Sequence, residues 1–216
     1  MQMSLYSYIV LKDYGFAPNP YWGKMTLTTC KPDIRIHAAI GDWIIGTGSA
    51  NVHRQGKTYV DYSCKLVFAM KVGKVLTLKE YDAHCLTATN DMRNKIPRAD
   101  THWKLQNGDC IYRYPIRGNR PIQRPGLHCD ADIEKDLRGL HSLISDEFYY
   151  FGENAICIPD EFESIIKKGQ GYIKCGDTKL IEEFTNWLRR LYPKRNILEG
   201  DPQLRDTIDE KFKNPN

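Results

Sequence analysis

No run of about 18 apolar residues occurs in the chain, so no membrane-spanning segment and no membrane partner are expected. The first residues, Met1-Gln2-Met3-Ser4-Leu5-Tyr6, lack the basic and apolar regions of a secretory leader, which makes a cytoplasmic setting the expectation. Cysteine is present but never in close pairs. The seven thiols, at Cys30, Cys64, Cys85, Cys110, Cys129, Cys157 and Cys175, are odd in number and scattered. This argues against a disulfide framework, and the missing C-x-x-C type of spacing argues against a zinc site. Free thiols are expected, with no metal and no cofactor. Phosphate-loop and dinucleotide fingerprints are also missing, as are internal repeats and low-complexity blocks.

What is there suits one domain. The 216 residues are 41% hydrophobic, with thirteen tyrosines to add half-polar packing groups. A single domain over residues 1–192 is expected, followed by a polar tail over 193–216. The net charge of +4 is compatible with a polyanionic partner without demanding one. Its distribution says more. Arg93, Lys95, Arg98, Lys104, Arg113, Arg117, Arg120 and Arg124 face only Asp100 and Asp109, and Trp103, Tyr112 and Tyr114 are interleaved with them. Arginine with aromatics is the chemistry of phosphate contact plus base stacking; a solvated surface loop is the plain alternative.

Alternation over Ser4 to Lys12 predicts a central first strand, and Lys24 to Thr29 a short one. Pro32 to Ala39 is ambiguous. Trp43 to Gly48 reads as an apolar strand entering a glycine turn, and residues 51–58 as an exposed polar loop. Ser63 to Val75 is the longest strand signal, with Leu66, Phe68, Met70 and Val72 on one face and Gly73 as a bulge candidate. Leu78 to Leu86 reads as a helix capped by Thr77 and Glu80. Thr178 to Leu191 is the clearest helix, with Leu180, Ile181, Phe184, Trp187, Leu188 and Leu191 on one stripe. Strands come first and do not alternate regularly with helices, so the expected fold is α+β: a mostly antiparallel β-barrel with peripheral helices and a C-terminal helix.

Three loops between residues 14 and 49 concentrate Gly, Pro, Asn and small hydroxyls beside short apolar strands: Tyr14-Gly15-Phe16-Ala17-Pro18-Asn19-Pro20, Thr28-Thr29-Cys30-Lys31-Pro32 and Gly41 to Ser49. Such loops aim amides and short polar side chains at a ligand. The order from Gly41-Asp42 to Tyr81-Asp82 resembles the PUA-like superfamily, with its EVE, ASCH and YTH groups, and implies a small barrel whose pocket receives a base. The segments YGFAPNP (14–20), TLTTCKP (26–32), GDWIIGTGS (41–49), LVFAMKV (66–72), GDCIY (108–112) and FYYFG (148–152) resemble, in order, the nucleotide modification associated domain family, type 2. That resemblance implies a place in phage and bacterial systems that modify DNA bases. The partner it implies is a nucleotide or nucleic acid, in particular modified DNA.

Two chemistries follow. A reader of a modified base would use Tyr14, Asn19, Lys31, Thr47, Ser49 and Tyr150 for the ligand, with Arg113 and Arg117 on phosphate. An enzyme that modifies or hydrolyses a nucleotide or base would use Cys30, beside the cation of Lys31, or Asp42, or Asp130 with His128 and Asp132. Two or more of these last residues meeting in one cleft would mark the enzyme. A flat surface at the loops would instead mark a protein-interaction module.

Overall fold

The computed structural model describes residues 3–52, 59–89, 91–99, 102–117 and 120–208. Residues 53–58 of the expected polar loop, Asp100, and residues 209–216 of the expected tail lie outside the described residues. The elements in chain order are β1 (Leu5–Val10), β2 (Met25–Leu27), α1 (Pro32–His37), β3 (Trp43–Gly48), β4 (Lys65–Lys71), β5 (Lys74–Thr77) and α2 (Leu78–Thr87). They continue with α3 (Trp103–Gln106), β6 (Tyr112–Arg113), β7 (Ile122–Gln123), α4 (Ile133–Arg138), β8 (His141–Ser145), β9 (Glu147–Tyr150) and β10 (Ile156–Cys157). The chain then forms β11 (Tyr172–Cys175), α5 (Thr178–Leu191) and β12 (Ile197–Leu198).

The expected barrel is not what forms. A seven-stranded sheet runs in the order β11-β1-β3-β4-β9-β12, with β10 also paired to β4, and its two ends do not meet. The sheet is mixed: β1 pairs parallel with β3, β9 pairs parallel with β12, and the other pairs are antiparallel. A separate sheet, β2-β8-β5, and the β6–β7 hairpin complete the strands. The physical reason is coverage. A barrel hides one face of its strands inside itself, whereas here both faces of the large sheet are covered by other elements. On one face Tyr6, Tyr8, Val10, Phe68 and Tyr150 pack with Met25, Leu27 and Leu143 of the small sheet and Ile34 of α1. On the other, Leu5, Trp43, Ile45 and Tyr149 pack under Phe162, Ile181, Phe184 and Leu188. The helices are peripheral layers.

Local signals explain the elements. Thr77 and Glu80 cap α2 reciprocally, the side chain of each accepting a backbone N–H from the other. The α5 stripe buries Ile181, Phe184 and Leu188 completely, while Leu191 at its end stays half-exposed. β4 departs from simple alternation. Gly46 pairs with Phe68 but Thr47 pairs with Leu66, so Val67 is an extra residue. The bulge lies there and not at Gly73, and it turns Leu66 to the face of Ala69. Past β4 the chain leaves the large sheet, and β5 joins the small one.

After α5 the chain returns to the body. Ile197 and Leu198 pair beside Tyr149 and Tyr150, and Gln203, Leu204 and Ile208 are buried. Asp13, fully enclosed, accepts hydrogen bonds from Tyr150 Oη at 2.7 Å and from the Gln203 amide at 3.3 Å. Among the described residues no helix is long and apolar enough to cross a membrane.

Candidate functional site

The parallel pair β1 and β3 ends side by side, Val10 opposite Gly48. Crevices at the carboxyl ends of parallel strands are recurrent ligand sites, because the chain must leave there by loops that diverge. Two cavities open at this end, of about 390 and 530 Å³. They share Ile9, Leu11, Lys31 and Gly171 as walls and so form one cleft. Its size falls within the range of small-molecule sites.

Cys30 lines the first cavity. It and Lys31 precede α1 with φ of +58° and +37°, left-handed conformations that side chains with a Cβ rarely adopt. Pro32, at the first helical position, continues from them into α1. Two successive strained residues persist only when their surroundings hold them. Here the Cys30 amide donates to Asp136 Oδ1 at 2.9 Å, and the Cys30 carbonyl accepts from Arg35 Nε at 2.8 Å. Arg35 is fully buried and also donates to the carbonyls of Asp136 and His141. Burial lowers its pKa to about 10, with Asp136 opposing that shift.

The Cys30 sulfur lies 3.5 Å from His128 Nε2. On the other side of the ring, His128 Nδ1 lies 2.6 Å from Asp136 Oδ2. Asp136 is fully buried and also accepts from Tyr112 Oη at 2.9 Å. Phe16, from the first of the three loops, meets the imidazole edge-on at 4.9 Å. Burial works against a charged His128, but hydrogen bonds to Asp136 and Cys30, reinforced by their charges, outweigh it and hold the imidazole up at about 10. The three side chains form a thiol–imidazole–carboxylate relay, the arrangement that serves nucleophilic catalysis on unrelated folds.

Cys30, His128 and Asp136 each offer a metal-ligand atom, all within 4.8 Å of one another. The donor set fits a relay better than a cation. The carboxylate occupies Nδ1 while the thiol faces Nε2, so an ion on one ring nitrogen would leave one of the two outside its shell. Both Asp136 oxygens are already acceptors.

The remaining sequence candidates divide by burial. Lys31 lines both cavities, and Thr47 and Ser49 line the second. Lys31 Nζ sits 4.2 Å over the ring of Tyr8, and burial lowers its pKa. Asn19 is fully buried, its amide donating to the Asn107 carbonyl and its oxygen accepting from Lys95 Nζ. Tyr150 is fully buried on Asp13. Tyr14 is half-buried between two apolar clusters, its carbonyl accepting from Asn107. Asp42 accepts from the amides of Ser4 and Ala39 and ties the start of β3 to the chain before β1. Asp130 is exposed, as are Arg113 and Arg117 on the β6–β7 hairpin, and none of these lines the cleft.

The basic segment is not one surface. Lys95 is fully buried, donating to the carbonyls of Asn19 and Lys24, and burial lowers its pKa to about 8. Arg124 pairs with buried Asp82 at 2.7 Å.

The sequence reading named Cys30 and His128 but paired the histidine with Asp130 and Asp132. Asp136, one turn into α4, was missed. Its signal is that it is an acid on the inward face of a short helix that follows Asp132 and carries Glu134 and Asp136 in its first turn.

The family model described as nucleotide modification associated domain 2 matches residues 2–208. The chain belongs to this family. The match runs from before β1 to the buried Ile208, so the relay, the cleft and the returning C-terminal segment all lie inside the nucleotide modification associated domain 2. The family description associates the domain with nucleotide modification. No curated protein and no solved structure gives a significant match.

Proposed function

We propose that the protein is a cysteine-dependent enzyme that transfers or hydrolyses an acyl or amide group carried by a nucleotide or modified base. The observation that carries this reading is the contact chain Cys30 Sγ–His128 Nε2 at 3.5 Å and His128 Nδ1–Asp136 Oδ2 at 2.6 Å, with Cys30 on the wall of a ligand-sized cleft. The sulfur attacks a carbonyl carbon and forms a C–S bond. The C–N or C–O bond to the leaving group breaks, and the leaving atom takes the proton held on His128 Nε2. Water, deprotonated through the same imidazole, or another acceptor then releases the thioester. Lys31 faces the developing negative charge from the same cavity. Tyr8 lines that cavity too, and its buried hydroxyl has no hydrogen-bond partner among the described residues, so its donor is uncommitted. Recognition of a modified base or nucleotide, within a DNA base-modification or phage-defence pathway, is the binding half of this proposal, supported by Tyr8, Tyr172 and Lys31 around the thiol.

The test is a competition among the protein's own thiols. Iodoacetamide adducts at each cysteine are followed by peptide mass spectrometry at pH 7. Cys30 is only half-exposed, whereas Cys64, Cys129 and Cys157 are exposed. Accessibility alone therefore ranks Cys30 behind them, and the relay ranks it first. We expect Cys30 to react fastest, and to slow at least tenfold (order of magnitude) in His128→Asn. In parallel, deoxycytidine monophosphate acylated on its exocyclic amine should lose its acyl group with wild type and not with Cys30→Ala. A Cys30 that reacts no faster than the exposed thiols and ignores His128→Asn would sink the enzyme. Ligand binding without any mass change would leave the reader.

A further inference from the structure

The cleft continues past the thiol into its larger cavity, and the chemistry of the walls changes there. Lys31, Lys167 and Lys168 line it together with Thr47, Ser49 and Ser63, and no carboxylate residue is among its lining residues. Lys168 is held by Glu163 at 2.6 Å, outside the lining, while Lys31 and Lys167 pair with no carboxylate among the described residues. A pocket whose lining includes three lysines and no acid favours an anion over a cation.

The far wall is a loop in which two glycines flank Gln170. Gly169 and Gly171 take φ of +78° and +83°, and a Cβ built on either would meet nothing within 4 Å. Glycine is required there by backbone conformation and not by crowding, and the space before it is open. The loop is anchored at its base, where the Lys167 amide donates to Ser7 Oγ at 3.2 Å and Tyr172 pairs with Tyr8 in β11 and β1. An anion entering this cavity would meet lysine ammonium groups, hydroxyls and an uncrowded glycine backbone. Those are the donors that recur around phosphate.

We propose that this second cavity is a phosphate subsite. Resting on the enzyme reading above, it assigns the substrate as a phosphorylated nucleotide, with its phosphate between Lys167-Lys168-Gly169-Gln170-Gly171 and Ser49 and its reacting group at Cys30. Lys31, a wall of both cavities, bridges the two ends. The shared ligand chemistry is a nucleotide phosphate, and a free mononucleotide and the end of a single strand are its two sources.

Amide chemical-shift mapping of the full chain with inorganic phosphate, deoxycytidine, deoxycytidine 5′-monophosphate and a short oligodeoxycytidylate tests this. We expect inorganic phosphate and the monophosphate to shift Ser49, Gly169, Gln170 and Gly171. The nucleoside should leave these amides unmoved. A Lys167→Ala, Lys168→Ala double variant should weaken monophosphate binding at least about tenfold while its spectrum elsewhere stays native. Stronger binding of the oligomer at the same amides would assign the phosphate to a strand end, and weaker binding would assign it to a free nucleotide. Shifts spread over surface lysines, or unaltered binding by the double variant, would overturn the subsite. Iodoacetamide reactivity of Cys30 in the same variant separates the two proposals. Native reactivity with lost phosphate binding leaves the thiol reading standing if phosphate bound wild type. Ordinary reactivity at Cys30 in both proteins, with phosphate bound at the loop, removes the enzyme and keeps the subsite.

Discussion

Asp136 carries more of the site than any other single residue. Its two oxygens receive the Cys30 amide, the Tyr112 hydroxyl and the His128 imidazole, and it does this with no exposure to solvent. Replacing it with Asn preserves shape but removes the charge that keeps the imidazole protonated. In Asp136→Asn, His128 should titrate well below about 10, back toward its ordinary value of 6.5, as read from its Cε1–H resonance. Stability should also fall by about 2–3 kcal/mol, because an amide cannot accept from three donors at once. A His128 titration unmoved by Asp136→Asn would mean that the carboxylate is only packing. At this scale the sequence was half legible. Cys30 and His128 lie 98 positions apart, and nothing local says that they meet. Residue type made both candidates; only the fold could choose Asp136 over Asp130 and Asp132, which share its chemistry and lie closer to His128 in the chain.

The element that sets the thiol is α1, and what sets α1 is the arginine inside it. Arg35 reaches under the chain to three carbonyls, and Gly139, just past α4, lies against its guanidinium: a Cβ at 139 would overlap Cζ and both Nη atoms. Arg35 is held by all its bonds and cannot swing away cheaply. Gly139→Ala should therefore destabilise the protein by about 1–3 kcal/mol in urea unfolding. It should also slow Cys30 alkylation, although the backbone hydrogen bonds of residue 139 go to Asp136 and His141. If stability drops while Cys30 keeps its rate, α1 does not depend on Arg35 for its entry. Elements of this kind were unevenly readable. α2 and α5 announce themselves by a capping box and a 3.6-residue stripe. α1 does not, because six residues are too few for a period and Pro32 reads equally as a turn. Strand periodicity likewise identifies buried faces but not neighbours. β1 pairs parallel with β3 only because β2 and α1 cross over between them, and a mixed open sheet leaves the same alternation in the sequence as a barrel.

Taken whole, the molecule holds two cations, half-buried His128 and fully buried Lys95, whose shifts run in opposite directions between pH 6.5 and 10.5, and the pH dependence of its stability in that range draws on both. His128 is raised from 6.5 to about 10, so between these values the folded chain binds more protons than the unfolded one. Its stabilisation is complete below about pH 6.5 and is lost as pH rises through about 10. Lys95 is lowered from 10.5 to about 8 by burial, so between these values the unfolded chain binds more protons, and stability rises with pH. From about pH 6.5 to 8 only His128 of these two titrates, and stability should decline. From about 8 to 10 the two slopes oppose, and the decline should flatten. Urea midpoints at pH 6.5, 8 and 10 measure this. His128→Asn should remove the first decline and leave a rise above pH 8. Lys95→Met should remove the flattening, so that the decline continues to about pH 10, on a baseline lowered by the unpaired carbonyls of Asn19 and Lys24. A wild-type midpoint constant from pH 6.5 to 8 would show that His128 gains no proton affinity on folding. The relay would then lack the charged imidazole on which its chemistry depends.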